Sequence, residues 1–172
     1  MIVPIMYSKI AMHLNAYRFI SRMTHPWKSK LFLFFKLPAA FFSGVRICSL
    51  SEERAIVSVP FSWFSKNPFR STYFACLAMA GEMSTGLLAM MHCYKRKPGV
   101  SMLVVKMEAL YFKKATGLTY FTCEAGKDIE WIINECIREN RSHTYVATAV
   151  GRDKSGDKIA EFYITWSFKP RV

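Results

Sequence analysis

A long apolar segment near the middle of the chain constrains the fold more than any other feature. Residues 71–93 carry a single formal charge, Glu82, and otherwise consist mainly of small and apolar residues. Length and composition predict a helix of about 34 Å, at about 1.5 Å per residue. A helix that is apolar on all sides has no face suited to water, so it must be buried. The rest of the chain therefore has to supply a layer that encloses it.

The sequences on both sides of this segment predict strands that can form such a layer. Apolar residues alternate over 54–61 and 158–168, which is the period of a strand with one buried face. Further strands are predicted over 41–49, 101–112, 118–124 and 143–151, and an amphipathic helix is predicted over 128–138. This order of elements predicts an α+β fold in which an antiparallel sheet wraps around the long helix.

Short polar stretches mark where these elements join. Residues 51–53 connect the first predicted hairpin, and residues 153–157 connect the last one. Ser71 and Thr72 precede the long helix, where a hydroxyl side chain is suited to cap the first backbone N–H groups. The chain shows no internal repeat and no linker long enough to divide the strand-rich part.

The N-terminal region differs from the rest of the chain in charge. It combines a helical pattern over 5–22 with an aromatic and basic piece over 27–37. No acidic residue precedes Glu52, whereas seven Lys and Arg residues do, in a chain with a formal net charge of +12. We interpret residues 1–37 as a helical extension and residues 38–172 as the sheet-and-helix domain. Such a basic segment could contact anionic lipid, an anionic ligand or a neighbouring subunit.

The five cysteines predict neither a metal site nor a disulfide framework. No two of them form a Cys-x-x-Cys pair, and none stands at a zinc-like spacing from a histidine. Their number is odd, and the start of the chain lacks the pattern of a secretory signal peptide. We therefore expect a reducing, cytoplasmic setting, buried thiols that act as small hydrophobic groups, and neither a metal nor a tightly bound cofactor.

The apolar segment also has an alternative interpretation as a membrane span. Residues 72–94 are long enough to cross a bilayer, and the cations of 95–97 follow them like an anchor. Glu82 would then lie near the centre, at a cost of about 2.5–3.5 kcal/mol if it behaves like a central Asp. The flanking strands also need a large apolar partner, which only this helix provides. We therefore favour the buried helix.

Three short strings carry a resemblance to a known fold. They are the Asn-containing loop before the long helix at 67–74, the aromatic and lysine-bearing stretch at 109–117 that ends in Gly, and the final strand at 160–166. In this order they resemble the hotdog fold of acyl-CoA thioesterases and their relatives over roughly residues 38–170. The Tyr-Phe and Gly-Glu pairs of the helix resemble a thioesterase-like branch that is a domain family of unknown function.

The resemblance implies a catalytic role for Glu82. In one thioesterase branch a Glu on the central helix is the nucleophile or general base. It lies eight residues after a Gly of a His-Gly-Gly motif, whose backbone N–H polarises the thioester carbonyl. Glu82 lies eight residues after Phe74, in the same register. Here residues 73–75 read Tyr-Phe-Ala instead, although any residue except proline supplies the N–H. Burial in an apolar helix should also raise the pKa of Glu82.

The other predicted site residues surround the start of the long helix. Asn67 could fix the thioester carbonyl or an activated water, or it could simply form the turn before Pro68. Glu82 could likewise contact a ligand without catalysis, or have a structural role. Lys113 and Lys114 are suited to bind the phosphates of coenzyme A. The alternative is that both simply belong to a turn exposed to solvent. The predicted substrate-binding residues are Ser71, Thr72, Tyr73, Phe74, Lys113 and Lys114.

The resemblance implies a hotdog protein that binds acyl thioesters, carried by coenzyme A or a carrier protein, and hydrolyses them beside the long helix. The alternative is a non-catalytic hotdog protein that binds a fatty-acyl or other apolar ligand, which the missing His-Gly-Gly motif favours. The resemblance implies a homodimer or a higher homo-oligomer with its site between subunits. A third hypothesis is a peripheral membrane contact through the basic N-terminus. No nucleic-acid recognition motif is present, so we expect no nucleic-acid partner.

Overall fold

The computed structural model describes residues 3–171 and the side chains of residues 14–171. In it, the stretches with alternating apolar residues form strands, and the stretches with a period of about 3.6 residues form helices. The helices are α1 (Val3–Thr24), α2 (Pro26–Lys36), α3 (Pro38–Phe42), α4 (Phe74–Cys93) and α5 (Gly126–Glu139). The strands are β1 (Arg46–Leu50), β2 (Ala55–Val59), β3 (Val100–Tyr111), β4 (Thr119–Cys123), β5 (His143–Arg152) and β6 (Lys158–Pro170).

The strands form one antiparallel sheet in the order β1-β2-β4-β5-β6-β3. Its inner face is lined by alternate apolar side chains, as the period of two predicts. On β6, every second residue from Ala160 to Phe168 is buried. The sheet encloses α4, which confirms the predicted α+β hotdog fold.

The α4 helix is buried by the sheet along most of its surface. It approaches β6 closely at Gly81, where an added Cβ would lie 2.7 Å from the Phe162 ring. Within the described residues, α4 is the one helix long and apolar enough to cross a membrane. Because most of its apolar side chains already pack against protein, we assign it as the core helix of the fold.

The α5 helix covers one end of the core with the apolar stripe that the sequence predicts. Ile129, Ile132, Ile133 and Cys136 are all buried, and the opposite side faces solvent. At its start, the N–H of Gly126 donates to the carbonyl oxygen of Glu53 at 3.0 Å. This bond ties α5 to the turn between β1 and β2.

The largest departure from the predicted elements lies between residues 38 and 50. The strand predicted over 41–49 is shorter and starts later, because the short α3 helix occupies its first residues. Pro38 is in the first turn of α3, where a missing N–H costs no hydrogen bond. Gly44 then takes a φ of +82°, which ends the helix before β1 can begin. Similarly, β2 ends at Val59, and Phe61 is exposed although its alternation predicted burial.

The N-terminal helices lie against the sheet-and-helix domain. The α1 helix extends through the range predicted as helical, and it packs against β1 and α4. Its Ala16, Phe19 and Met23 join the buried core, as does Leu33 of α2. The predicted apolar face of residues 5–13 lies outside the described side chains.

Candidate functional site

The α4 helix begins without a side-chain cap. The N-cap residue is Tyr73, so the prediction that Ser71 and Thr72 cap this helix is wrong. The carbonyl oxygen of Tyr73 accepts from the N–H groups of residues 76 and 77. The N–H groups of Phe74 and Ala75 donate to no acceptor in the described part of the chain. Free N–H groups at the positive end of a helix can stabilise an anion or a developing oxyanion.

Side-chain hydrogen bonds hold the loop that leads into α4. The Asn67 side-chain oxygen accepts from the backbone N–H of Phe69 at 2.9 Å and of Ser71 at 3.2 Å. Its amide nitrogen donates to the Ser71 hydroxyl at 3.1 Å. Both the N–H and the hydroxyl of Thr72 donate to the carbonyl oxygen of Ala115. Asn67 therefore organises the turn, and its catalytic role stays a prediction.

This loop, the start of α4 and the segment after β3 surround a cavity of about 550 Å³. Seven of the predicted site residues line it: Asn67, Ser71, Thr72, Tyr73, Phe74, Lys113 and Lys114. The sequence predictions did not name Leu77, Tyr111 or Phe112, which also line the cavity. The position of Tyr111 and Phe112 directly before the two lysines was the signal that could have identified them. The cavity can accept an apolar group against its aromatic walls.

Glu82 is not among the lining residues of this cavity, and it lies further along α4. Eight residues separate it from Phe74, which corresponds to about 12 Å along the helix axis. Its carboxylate lies over Gly86, where an added Cβ would be 3.0 Å from Oε1 and 3.3 Å from the Trp166 ring. Partly exposed residues of α4, including Ala78 and Met79, lie between the cavity and Glu82. The structure thus brings the predicted substrate-binding residues together and leaves Glu82 apart from them within one chain.

Burial opposes the charge of Glu82. It raises the pKa of this carboxyl above its ordinary value, as expected from its place in an apolar helix. Among the side chains that the structure describes, none donates a hydrogen bond to this carboxylate or forms an ion pair with it. A carboxyl whose pKa is raised by burial is a candidate for proton transfer.

The two predicted lysines differ in their partners. The Lys113 ammonium donates to Asp157 at 2.6 Å and to Asp153 at 3.3 Å, and these carboxylates raise its pKa. A phosphate at Lys113 would have to compete with both of them. Lys114 forms no ion pair within residues 14–171, so it is the more available cation in the cavity wall.

The other buried ionisable groups on α4 and β4, which are His92, Cys93 and Cys123, show no sign of a catalytic role. His92 donates from Nε2 to the carbonyl oxygen of Glu52 at 3.1 Å, since a carbonyl can only accept, and burial lowers the pKa of His92. Burial raises the pKa of the Cys93 thiol to about 12 and that of Cys123 to about 11. Neither thiol is therefore activated as a nucleophile. Within the described residues, no group of three His, Cys, Asp or Glu could hold a metal ion.

Comparisons with known proteins agree with this architecture. Residues 28–168 match the sequence profile of a family described as Domain of unknown function (DUF4442). The chain is similar to a solved structure from Pseudomonas aeruginosa, a protein of unknown function described as a probable thioesterase. The TM-score is 0.72 at 18% identity, over 87% of this chain and 99% of that one.

Two further solved structures show the same likeness. One is a protein of unknown function from Chlorobaculum tepidum, with a TM-score of 0.70 at 15% identity, over 84% of this chain and 93% of that one. The other is a thioesterase from Haemophilus influenzae, with a TM-score of 0.60 at 12% identity, over 81% of this chain and 88% of that one. No curated protein matches the chain. At these identities the likeness establishes the fold, and the chemistry has to be argued from the site.

Proposed function

The chain belongs to the DUF4442 family, a domain of unknown function, and on this premise we propose that it hydrolyses acyl thioesters at a site built on α4. One observation carries the proposal: α4 presents both unpaired N–H groups at its start and an unpartnered, half-buried carboxylate at Glu82. The first can stabilise a developing oxyanion, and the second can accept a proton from water.

The proposed reaction uses these groups in sequence. The thioester carbonyl oxygen accepts hydrogen bonds from the N–H groups of Phe74 and Ala75, and the acyl group packs in the aromatic cavity. The Glu82 carboxylate takes a proton from a water molecule, whose oxygen attacks the carbonyl carbon. The carbon–sulfur bond then breaks, and the leaving thiolate takes the proton back from Glu82. The products are a carboxylic acid and a free thiol.

The separation of these groups supports a site shared by two protomers. A rise of about 12 Å along α4 is several times the reach of a hydrogen bond, so one chain's Glu82 does not serve its own helix start. We therefore propose a homodimer in which Glu82 of one protomer faces the α4 N-terminus of the other. A dimer of this kind needs a self-complementary surface near Glu82.

The outer edge of β3 provides such a surface. This strand has twelve residues, and no other strand of the described chain pairs with its outer edge. Leu103 and Val105 are 65% and 52% exposed. Val104 pairs with Trp166, and Trp166 lies beside the Glu82 carboxylate, so this edge is on the Glu82 side of the fold. A strand edge without a partner can pair with the same edge of a second copy.

Two features of the cavity support the proposed substrate class. Its aromatic walls suit the acyl chain, and Lys114 suits a phosphate of coenzyme A or of a carrier's pantetheine arm. Five free cysteines support a reducing, cytoplasmic setting for this activity. A second candidate function, binding of a fatty-acyl or other apolar ligand without hydrolysis, is favoured by the bulky Tyr73 and Phe74 at the start of α4.

The test is a thiol-release assay over a panel of acyl-CoAs with the parent protein, Glu82→Gln and Glu124→Gln. Glu124 is an exposed carboxylate away from α4, so its variant is the matched control. Loss of a general base should lower the rate of Glu82→Gln by about a hundredfold or more, with the control unchanged. Thermal melts check that each variant is folded.

Either of two results would contradict the proposal. Full activity in folded Glu82→Gln would remove Glu82 from the reaction. No release by the parent from any acyl-CoA or acyl-carrier substrate would favour the ligand-binding function, which co-purified lipid would then identify.

A further inference from the structure

A continuous row of exposed aromatic rings lies on a part of the surface that the proposed thioesterase site does not use. Phe35 contacts Phe34 at 5.1 Å between ring centroids, and Phe34 contacts Phe42 at 6.3 Å. Phe42 then contacts Phe64 at 6.0 Å, and Phe64 contacts Trp63 at 4.9 Å. These five residues, here called the aromatic ridge, join α2, α3 and the loop after β2. All five are exposed, Trp63 by 72%.

The ridge continues along α2 through two further apolar side chains. Trp27 is 76% exposed and Leu31 is 60% exposed. Single exposed apolar residues are ordinary on a protein surface, but a contiguous set of this size indicates an interaction surface. Trp and Phe side chains next to cations are typical of protein surfaces that bind at the interface between water and lipid.

Cations without acidic neighbours lie beside the ridge. A cleft of about 650 Å³ between α1 and α2 is lined by Arg18, Arg22, Lys28 and Lys36 together with apolar side chains that include Leu31 and Phe35. No acidic residue occurs before Glu52 in the sequence. None of the four cations forms an ion pair within residues 14–171. The cleft therefore combines apolar lining side chains with four cations that have no acidic partner.

Two more cations lie over rings of the same surface. The ammonium of Lys30 is 5.5 Å from the Trp27 ring centroid, and that of Lys66 is 5.8 Å from the Trp63 ring centroid. A cation therefore lies over Trp63 at one end of the ridge and another lies over Trp27 beyond its other end, in addition to those of the cleft.

We propose that this face docks on an anionic phospholipid bilayer. The ridge and Trp27 enter the interfacial layer, and the four cations of the cleft face the lipid phosphates. Each Lys or Arg near an anionic membrane surface strengthens binding about fivefold, and each buried ring adds apolar area.

Charge and ring geometry favour a bilayer over two other partners. A second copy of this face would bring four cations against four cations with no acid to offset them, which disfavours a symmetric pair. A nucleic acid would need open ring faces on which to stack its bases. Three of the four ring contacts in the ridge are instead edge to face, at 80° for Phe34 and Phe35, 67° for Phe34 and Phe42, and 88° for Trp63 and Phe64, and the contact between Phe42 and Phe64 is tilted at 35°.

The ridge is mechanically linked to the cavity of the candidate site. Ser65 directly follows Phe64, and its carbonyl oxygen accepts from the N–H of Tyr73 at 2.7 Å. Docking would therefore hold the start of α4 close to the bilayer. Docking on the bilayer does not require hydrolysis, because a protein without thioesterase activity would still bind vesicles through this face.

The test is sedimentation of the full chain with vesicles of phosphatidylcholine alone and with roughly one-quarter phosphatidylserine. We expect binding to the anionic vesicles, weakened by salt, and little binding to the neutral ones. Arg18→Gln with Arg22→Gln should lower the partition coefficient roughly 25-fold, at about fivefold per charge. Lys154→Gln with Lys169→Gln removes two exposed charges elsewhere and is the matched control.

Tryptophan emission tests the role of the ridge independently. On anionic vesicles the parent emission should shift to shorter wavelength. Trp27→Phe with Trp63→Phe should abolish that shift, whereas Trp131→Phe on α5, which removes a ring that is 62% exposed, should keep it.

Three results with vesicles would overturn the proposal: no sedimentation with anionic vesicles, equal binding to both kinds of vesicle, or equal loss in the control pair. Two further results would also overturn it, if Trp27→Phe with Trp63→Phe abolished them while vesicle binding stayed unchanged: tight binding of a single-stranded oligonucleotide, or self-association of the chain.

Discussion

At the scale of single residues, Glu82 is in an environment that disfavours its charge. Burial raises the pKa of this carboxyl in the folded protein, while the unfolded chain keeps the ordinary value near 4.5. The folded state therefore holds the proton more tightly than the unfolded state. The resulting stabilisation is complete below the unfolded pKa and is lost as the pH rises through the folded pKa.

Glu82→Gln should remove this pH dependence. Glutamine imitates the protonated side chain, so the variant keeps at neutral pH the stability that the parent has only in acid. We expect the unfolding free energies of parent and variant to differ least near pH 4 and to diverge towards pH 7, with the variant the more stable. Urea melts over this pH range measure the difference. Glu124→Gln, which removes an exposed carboxylate, should follow the parent, and parallel curves for Glu82→Gln and the parent would contradict the assignment.

The sequence predicts the pKa direction of Glu82 because the cause is local: an acid within an apolar helix. It cannot predict the partners of Lys113 in the same way. Asp153 and Asp157 are about forty residues away, and they reach Lys113 only because the turn after β5 lies beside the end of β3. Whether a lysine is free to bind a phosphate thus depends on the tertiary structure. The sequence alone gives no reason to distinguish Lys113 from Lys114.

At the scale of elements, the contact between α5 and the turn of β1 and β2 depends on one missing side chain. A Cβ on Gly126 would lie 2.1 Å from the carbonyl oxygen of Glu52 and 2.5 Å from the Cα of Glu53. Both are backbone atoms, so neither can move aside by changing a rotamer. The hairpin and the helix would have to separate.

Gly126→Ala should therefore destabilise the protein by about 2 kcal/mol or more, at the upper end of what overpacking costs. Gly117→Ala is the matched control, because an added Cβ there meets no atom within 4 Å. Its loop position should make it neutral or stabilising by up to about 1 kcal/mol. Urea unfolding at one pH compares the two. Equal stability of both variants would show that the hairpin yields at little cost.

The sequence pattern predicts the long elements with repeated patterns well, and it predicts the short elements poorly. The stripe of α5 and the alternation of β6 are each repeated over several turns or residue pairs, so they determine the element. By contrast, α3 has five residues, and Pro38 and Gly44 decide its ends. A run of apolar residues this short fits a strand as well as a helix, so the pattern alone predicts one strand over 41–49 and the first part of that range is not in it.

At the scale of the whole molecule, the sheet order decides which surfaces remain open. Pairing of β3 with β6 joins residues that are roughly fifty to seventy positions apart, and no local pattern predicts it. This pairing leaves β3 at the edge and brings it to the side of the fold that carries Glu82. The prediction of a dimer therefore came from resemblance, and the structure supplies the edge on which the proposed dimer depends.

Val105→Lys should separate the proposed dimer and lower the rate of hydrolysis with it. Val105 lies at the irregularity between Val104 and Lys106, and a lysine there places a charge on the pairing edge. Val146→Lys is the control, since Val146 is 51% exposed on β5, an inner strand, against 52% for Val105. Light scattering during gel filtration should give a dimer for the parent and the control and a monomer for Val105→Lys.

The activity of that monomer separates a shared site from a merely dimeric protein. If Glu82 of one protomer acts at the helix start of the other, the rate should fall about a hundredfold, as in Glu82→Gln, because a separated chain lacks one of the two groups. A mixture of Glu82→Gln and Val105→Lys chains should stay inactive, since the Val105→Lys chains cannot pair. A monomer with full activity would place both groups of the reaction on one chain, and the distance along α4 would then have to be spanned by the substrate.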